Sequence, residues 1–250
     1  MGNGFLLERE TELEAIDEAL GAAGRASGRL LLVEGHAGVG KTSLLDAAVA
    51  QARERRITVL YARASELETD FAFGIALQLF EPLLAGADDE TRDRLLAGSA
   101  ELAGPLLERP ASWGGDVADE RFYSVMHGLF WLLSNLADGD PVLITIDDAQ
   151  WADRASLRLM LYLLQRLDDM AVAILAARRL GEPGAPDDLL GQIAALHDAP
   201  AAPPRPVARR RPPDGPGGHA GCRGGLQRRL LADDGGQRLP ARRADRGGAS

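Results

Sequence analysis

A four-residue apolar run, Leu30-Leu31-Leu32-Val33, leads through Glu34 into Gly35-His36-Ala37-Gly38-Val39-Gly40-Lys41-Thr42. A helical pattern follows to about residue 55, with Leu44, Leu45, Ala48 and Val49 on one side. A short continuous apolar run bounded by glycines reads as a strand covered on both faces, as parallel sheets require. Glycines let the backbone fold tightly enough for several N–H groups to converge on one point. The helix that begins at Lys41 then aims the positive end of its dipole at the same point. Gly, four residues, Gly-Lys-Thr between strand and helix is therefore a phosphate cradle. Gly35, His36, Ala37, Gly38, Val39, Gly40, Lys41, Thr42 and Ser43 are expected to line a bound ATP. Lys41 should reach the β- and γ-phosphates and the Thr42 hydroxyl should ligate Mg²⁺. Of the 28 lysines and arginines in the chain, only Lys41 is a lysine. Arginine serves wherever a general positive charge suffices, while this position keeps the compact ammonium that fits a cradle. His36 occupies a free position of the loop and receives no catalytic role.

Around this unit strands and helices alternate. Periodicity predicts helices over residues 11–23, 71–84, 89–107, 118–136 and 154–167, and a loop at residues 110–115. It predicts further strands over residues 57–62, 142–146 and 171–176. That rhythm implies an α/β fold of the P-loop NTPase kind, a mostly parallel sheet with helices on both faces, over residues 1–199.

A cradle alone hydrolyses nothing, because the metal needs a second anchor and the attacking water must be oriented. The third strand ends in Asp147-Asp148. At the carboxyl edge of a parallel sheet these acids would lie beside the loop that follows the first strand. Asp147 is expected to partner Mg²⁺, through water, and Asp148 to orient the nucleophilic water. Arg178, just past the fourth strand, could sense the γ-phosphate, or lie on the surface beside Arg179. Phe71, Phe73, Phe80 and Trp131 fall at helical spacings and read as core. Asp153 reads as the cap of the helix that follows it. Asp119, Glu120 and the glutamates between residues 8 and 14 read as solvated faces.

Composition divides the chain near Ala199. Residues 201–250 hold 11 Arg and 4 Asp, a charge of +7, against −9 for the whole chain. They also hold 7 Pro and 10 Gly, no aromatic residue and five residues from the Leu/Ile/Val set. So little apolar surface cannot offset chain entropy, which predicts a disordered tail over residues 200–250. The acidic balance of the whole argues against general attraction to nucleic acid or anionic membrane. No apolar run is long enough to span a bilayer, and the start lacks the pattern of a signal peptide. With Cys222 the only cysteine there is no internal disulfide, so a soluble cytoplasmic chain is expected.

Four separated segments together resemble one family. They are Leu6-Leu7-Glu8-Arg9-Glu10-Thr11-Glu12-Leu13, the phosphate loop, the run from Phe71 to Leu84, and Asp147-Asp148-Ala149-Gln150-Trp151-Ala152-Asp153. They agree in order and spacing with the N-terminal ATPase module of the large LuxR-type regulators, signal-transducing (STAND) relatives of the AAA superfamily. The resemblance covers about residues 5–198. It implies an ATP-dependent switch in which nucleotide state controls self-association, and it aligns Arg178 with the family's arginine after the fourth strand. The family's lid, helical repeats and DNA-binding domain have no counterpart in this sequence. Many AAA relatives have Glu where Asp148 stands, and the shorter arm implies slow turnover.

The resemblance also bears on the tail. Read one base out of register, codons allowed for residues 237–246 can encode Asn-Ala-Phe-Leu-Leu-Ala-Glu-Leu-Thr, close to a stretch that family members carry after the sheet. The expectation is a frame slip near residues 199–205. The rival is a genuine basic arm for nucleic acid or an acidic partner. For the domain itself, the leading expectation is a weakly hydrolysing regulatory ATPase. The alternatives are a P-loop kinase acting on a small molecule and a nucleotide-binding fragment without turnover.

Overall fold

The computed structural model describes residues 9–108 and 119–196. The predicted tail, the loop at residues 110–115 and the first residues of the N-terminal motif lie outside the described residues. Contacts divide the chain into two units, Met1–Ala208 and Arg209–Ser250, and every described residue belongs to the first.

Four strands, β1 (Arg29–Glu34), β2 (Thr58–Arg63), β3 (Val142–Asp147) and β4 (Val172–Arg178), form one sheet in the order β1-β4-β3-β2. All three pairings are parallel. Such a sheet must be covered on both faces, and the strands alternate accordingly. Val33, Leu143, Ala173, Leu175 and Ala177 face helices α1 (Glu10–Ala23) and α2 (Lys41–Glu54), burying Ile16, Leu20, Leu44 and Leu45. Leu30, Leu32, Leu60, Ile144, Ile146 and Ile174 face the other layer. That layer holds α3 (Gly74–Gly86), α4 (Asp89–Leu95), α5 (Gly104–Glu108), α6 (Asp119–Ala137), α7 (Arg154–Leu164) and α8 (Asp187–Ala195). This is the expected α/β architecture of the P-loop kind. No helix among the described residues is long and apolar enough to cross a membrane.

Two departures from periodicity have physical causes. The single helix expected over residues 89–107 is three pieces: α4, a 3₁₀ segment (Gly98–Ala103) and α5. Gly98 takes a φ of 64°, which stops a right-handed helix. The Asn135 amide on α6 donates to the carbonyls of Leu95 at 3.0 Å and Ala97 at 3.2 Å, satisfying the ends that an uninterrupted helix would have used. Gly128 brings the α6 backbone so close that a Cβ there would stand 2.3 Å from the Ala103 nitrogen. The helix expected from residue 71 instead begins at Gly74, because Phe73 sits in the left-handed region at φ 63°. Phe73 and Phe80 are core, as their spacing predicts, whereas Phe71 and Trp131 are partly exposed. α8 is an element the periodicity did not mark.

Candidate functional site

Residues 35–40 cross the carboxyl end of the sheet between β1 and α2. Gly38 and Gly40 adopt φ values of 77° and 86°, where a side chain would be strained. The N–H of Gly35 pairs with the carbonyl of Arg178 at 3.3 Å, which fixes the start of the loop to the end of β4. The buried Lys41 turns back over the loop, its Nζ donating to the carbonyls of Gly35 at 3.0 Å and His36 at 2.9 Å. Burial and the nearby Arg179 charge push the Lys41 ammonium below its usual range, while Asp148 and Asp147 pull it back up. Arg9, also buried, donates its guanidinium to the Val39 carbonyl and braces the loop from the start of α1.

The two acids meet this loop as the strand order requires. Thr42 Oγ1 donates to Asp147 Oδ2 at 2.9 Å across 105 residues of sequence. Asp147 is almost fully buried, and its other oxygen accepts the backbone N–H of Asp148 at 2.9 Å. Asp148 itself stands at φ 53°, a left-handed conformation that aspartate tolerates better than most residues. The chain therefore turns sharply at the end of β3 and leads into the 3₁₀ turn Ala149–Trp151. Asp148 Oδ2 accepts from Arg63 at 3.2 Å, and Oδ1 accepts from Gln150 at 3.0 Å with the Arg179 guanidinium 3.4 Å away. Burial raises the Asp148 pKa, but the Gln150 hydrogen bond, the Arg179 charge and Arg63 together outweigh it. They hold the carboxyl below the ordinary aspartate value.

The structure thus brings together Lys41, Thr42, Asp147 and Asp148. Arg178 lies at the start of the loop, but its side chain is ion-paired with Glu34, its register partner on β1, rather than with the acids. The arginine that reaches the acids is Arg179. Arg63 and Gln150 join it, and periodicity marked neither. A signal for Arg63 existed, since a parallel register that sets Ala62 beside Ile146 sets Arg63 beside Asp147.

Thr42 and Asp147 offer a hydroxyl and a carboxylate, hard oxygen donors suited to Mg²⁺. Among the described residues no group of three or more His, Cys, Asp or Glu side chains could hold a metal alone. The remaining ligands of a Mg²⁺ ion here would be phosphate oxygens and water, as is usual for that ion.

The sequence pattern of the AAA ATPase domain matches residues 6–176, more than half of the chain. The chain belongs to the AAA ATPase domain family. No curated protein matches the sequence. Among solved structures, the AAA ATPase domain described here is similar to a DNA replication initiation factor at 18% identity and a TM-score of 0.38, covering 77% of this chain and 46% of that one. AMPPCP-bound DnaA from Aquifex aeolicus matches at 18% identity, 78% and 45% coverage and a TM-score of 0.36. The Aeropyrum pernix ORC1 protein in complex with DNA matches at 18%, 77% and 44% coverage and a TM-score of 0.38. The chain spans less than half the length of these three proteins.

Proposed function

We propose that this domain binds ATP with Mg²⁺ in the loop of residues 35–43 and hydrolyses it slowly, as the nucleotide switch of a LuxR-type regulator. The observation that carries this reading is the 2.9 Å hydrogen bond between Thr42 and Asp147, which puts the phosphate loop and the paired acids in one site. The loop amides and Lys41 bind the triphosphate. Thr42 and Asp147 would hold Mg²⁺, whose charge would offset that of the phosphates. Asp148 accepts a hydrogen bond from the attacking water and orients it. Arg179, 3.4 Å from Asp148 Oδ1, is the cation assigned to the γ-phosphate. The short Asp148 arm, already engaged by Arg63, Arg179 and Gln150, suits slow turnover, and slow turnover suits a switch.

ATP affinity measured by calorimetry should fall at least tenfold when Mg²⁺ is chelated, and Asp147→Asn should remove most of that dependence. Binding that ignores Mg²⁺ in both proteins would sink the metal assignment. Release of free phosphate in the absence of acceptors is expected. Phosphate appearing only on an added small molecule would instead mark a kinase. The switch reading, carried over from the LuxR-type modules, predicts that ATP and ADP forms differ in self-association by light scattering. One oligomeric state in both would remove it.

A further inference from the structure

We propose that Gln150 is a positioning residue that sets Asp148 and Arg179 relative to each other, so that the water-orienting acid and the phosphate-facing arginine act as one unit. This rests on the reading of the domain as an ATPase.

The β3–β4 ladder ends at the pair Ile146 and Ala176, so beyond it the two strand ends are held by their outer neighbours, β2 and β1, and not by each other. Gln150 takes over there. It has no exposure at all, and a fully buried carboxamide is tolerated only when both its ends are hydrogen-bonded. Both are. Its Oε1 accepts the backbone N–H of Arg179 at 2.8 Å, and its Nε2 donates to Asp148 Oδ1 at 3.0 Å. The orientation of the amide is forced, because an N–H needs an acceptor on one side and a carboxylate needs a donor on the other. The consequence is chemical: Oδ1 is committed to Gln150 and Arg179, and Oδ2 meets, among the described residues, the largely exposed Arg63. Oδ2 is therefore the oxygen left to orient a water once Arg63 swings away.

The full chain is tested as Gln150→Met and Gln150→Glu, with thermal melting to confirm folding. Affinities for Mg-ATP and Mg-ADP are measured by calorimetry, and phosphate release is followed at saturating Mg-ATP. In Gln150→Met, ADP affinity should stay within about twofold, the preference for ATP over ADP should fall about fivefold, and turnover about tenfold. In Gln150→Glu, turnover should be low near pH ~8 and rise towards wild type near pH ~5.5, as the introduced carboxyl gains a proton and becomes the missing donor. A buried side chain serving only the fold would not make activity rise as pH falls. Folded variants with wild-type turnover, nucleotide preference and pH profile overturn the proposal. If wild type binds ATP without turnover, the ATP/ADP preference decides, and if Gln150→Met fails to fold, the profile of Gln150→Glu decides. A wild-type chain that binds no Mg-ATP removes the ATPase reading and the proposal with it, a result distinct from unchanged variants of a working enzyme.

Discussion

Replacing Lys41 with alanine is expected to weaken Mg-ATP binding about a hundredfold, roughly 2.7 kcal/mol, in calorimetric titrations of the two proteins. The size follows from the surroundings of the ammonium. It is buried, and it lies within 3.0 Å of two loop carbonyls at the mouth of an amide nest. A charge-assisted hydrogen bond in such a place contributes about 1.5–3 kcal/mol, and a triphosphate offers oxygens from two phosphates. Burial already presses the group towards its neutral form, with Asp148 and Asp147 opposing. A bound polyanion supplies the favourable field that the free protein provides only in part. Lys41→Arg should rescue little, since a planar guanidinium does not fit a cradle shaped around a point charge. Because the ammonium is buried, the loss should persist at high salt, unlike that of a surface charge. Equal affinity in wild type and Lys41→Ala would remove the phosphate-cradle assignment.

How much of this site could be read from the chain depended on whether a residue's position is set by local pattern or by register. The phosphate loop is local: strand, glycines and helix are contiguous, and Lys41 and Thr42 have their places by spacing alone. Asp147 and Asp148 were legible because they end an apolar strand, and any parallel sheet gathers such ends on one edge. Arg178 shows where this stops. The fourth strand was expected to end at Ala176, yet it runs to Arg178 and so keeps that residue in the ladder opposite Glu34. One residue later the chain leaves the sheet, and Arg179 is delivered to the acids. Two residues at a strand end here decide which arginine reaches the paired acids. Gln150 was visible only as part of a motif. Its role depends on the backbone N–H of Arg179, just past the end of β4 and 29 residues away, which no local pattern encodes.

The fold was legible to a similar depth. The strands and the covered faces follow from apolar runs and periodicity, whereas the break in the helix expected over residues 89–107 comes from outside it. Asn135 on α6 and the close approach allowed by Gly128 impose that break through tertiary contacts. Periodicity does not register partners that arrive from another helix.

Asp153→Ala is expected to lower stability by about 3 kcal/mol, a fall of roughly 6–12 °C in the melting midpoint for a domain of this size. The sequence marks Asp153 as the cap of one helix, and the structure gives it two. Its Oδ1 accepts the Ser156 N–H at 2.8 Å, capping α7, and also the Phe73 N–H at 2.8 Å, where the left-handed Phe73 starts α3. The carboxylate is nearly fully buried, so alanine would remove two caps and leave buried donors that water cannot reach. Asp153→Asn keeps one acceptor oxygen and should recover about half of the loss. The same link connects to the site at a distance: α3 carries Gln78, whose Oε1 accepts the N–H of Arg63 at 2.9 Å, and Arg63 pairs with Asp148. Since that path ends on the exposed side of Asp148, ATP affinity in Asp153→Ala should change by less than about fivefold at a temperature where the variant is folded. A large loss of affinity with an unchanged melting midpoint would place Asp153 in the nucleotide site rather than in the frame that holds it.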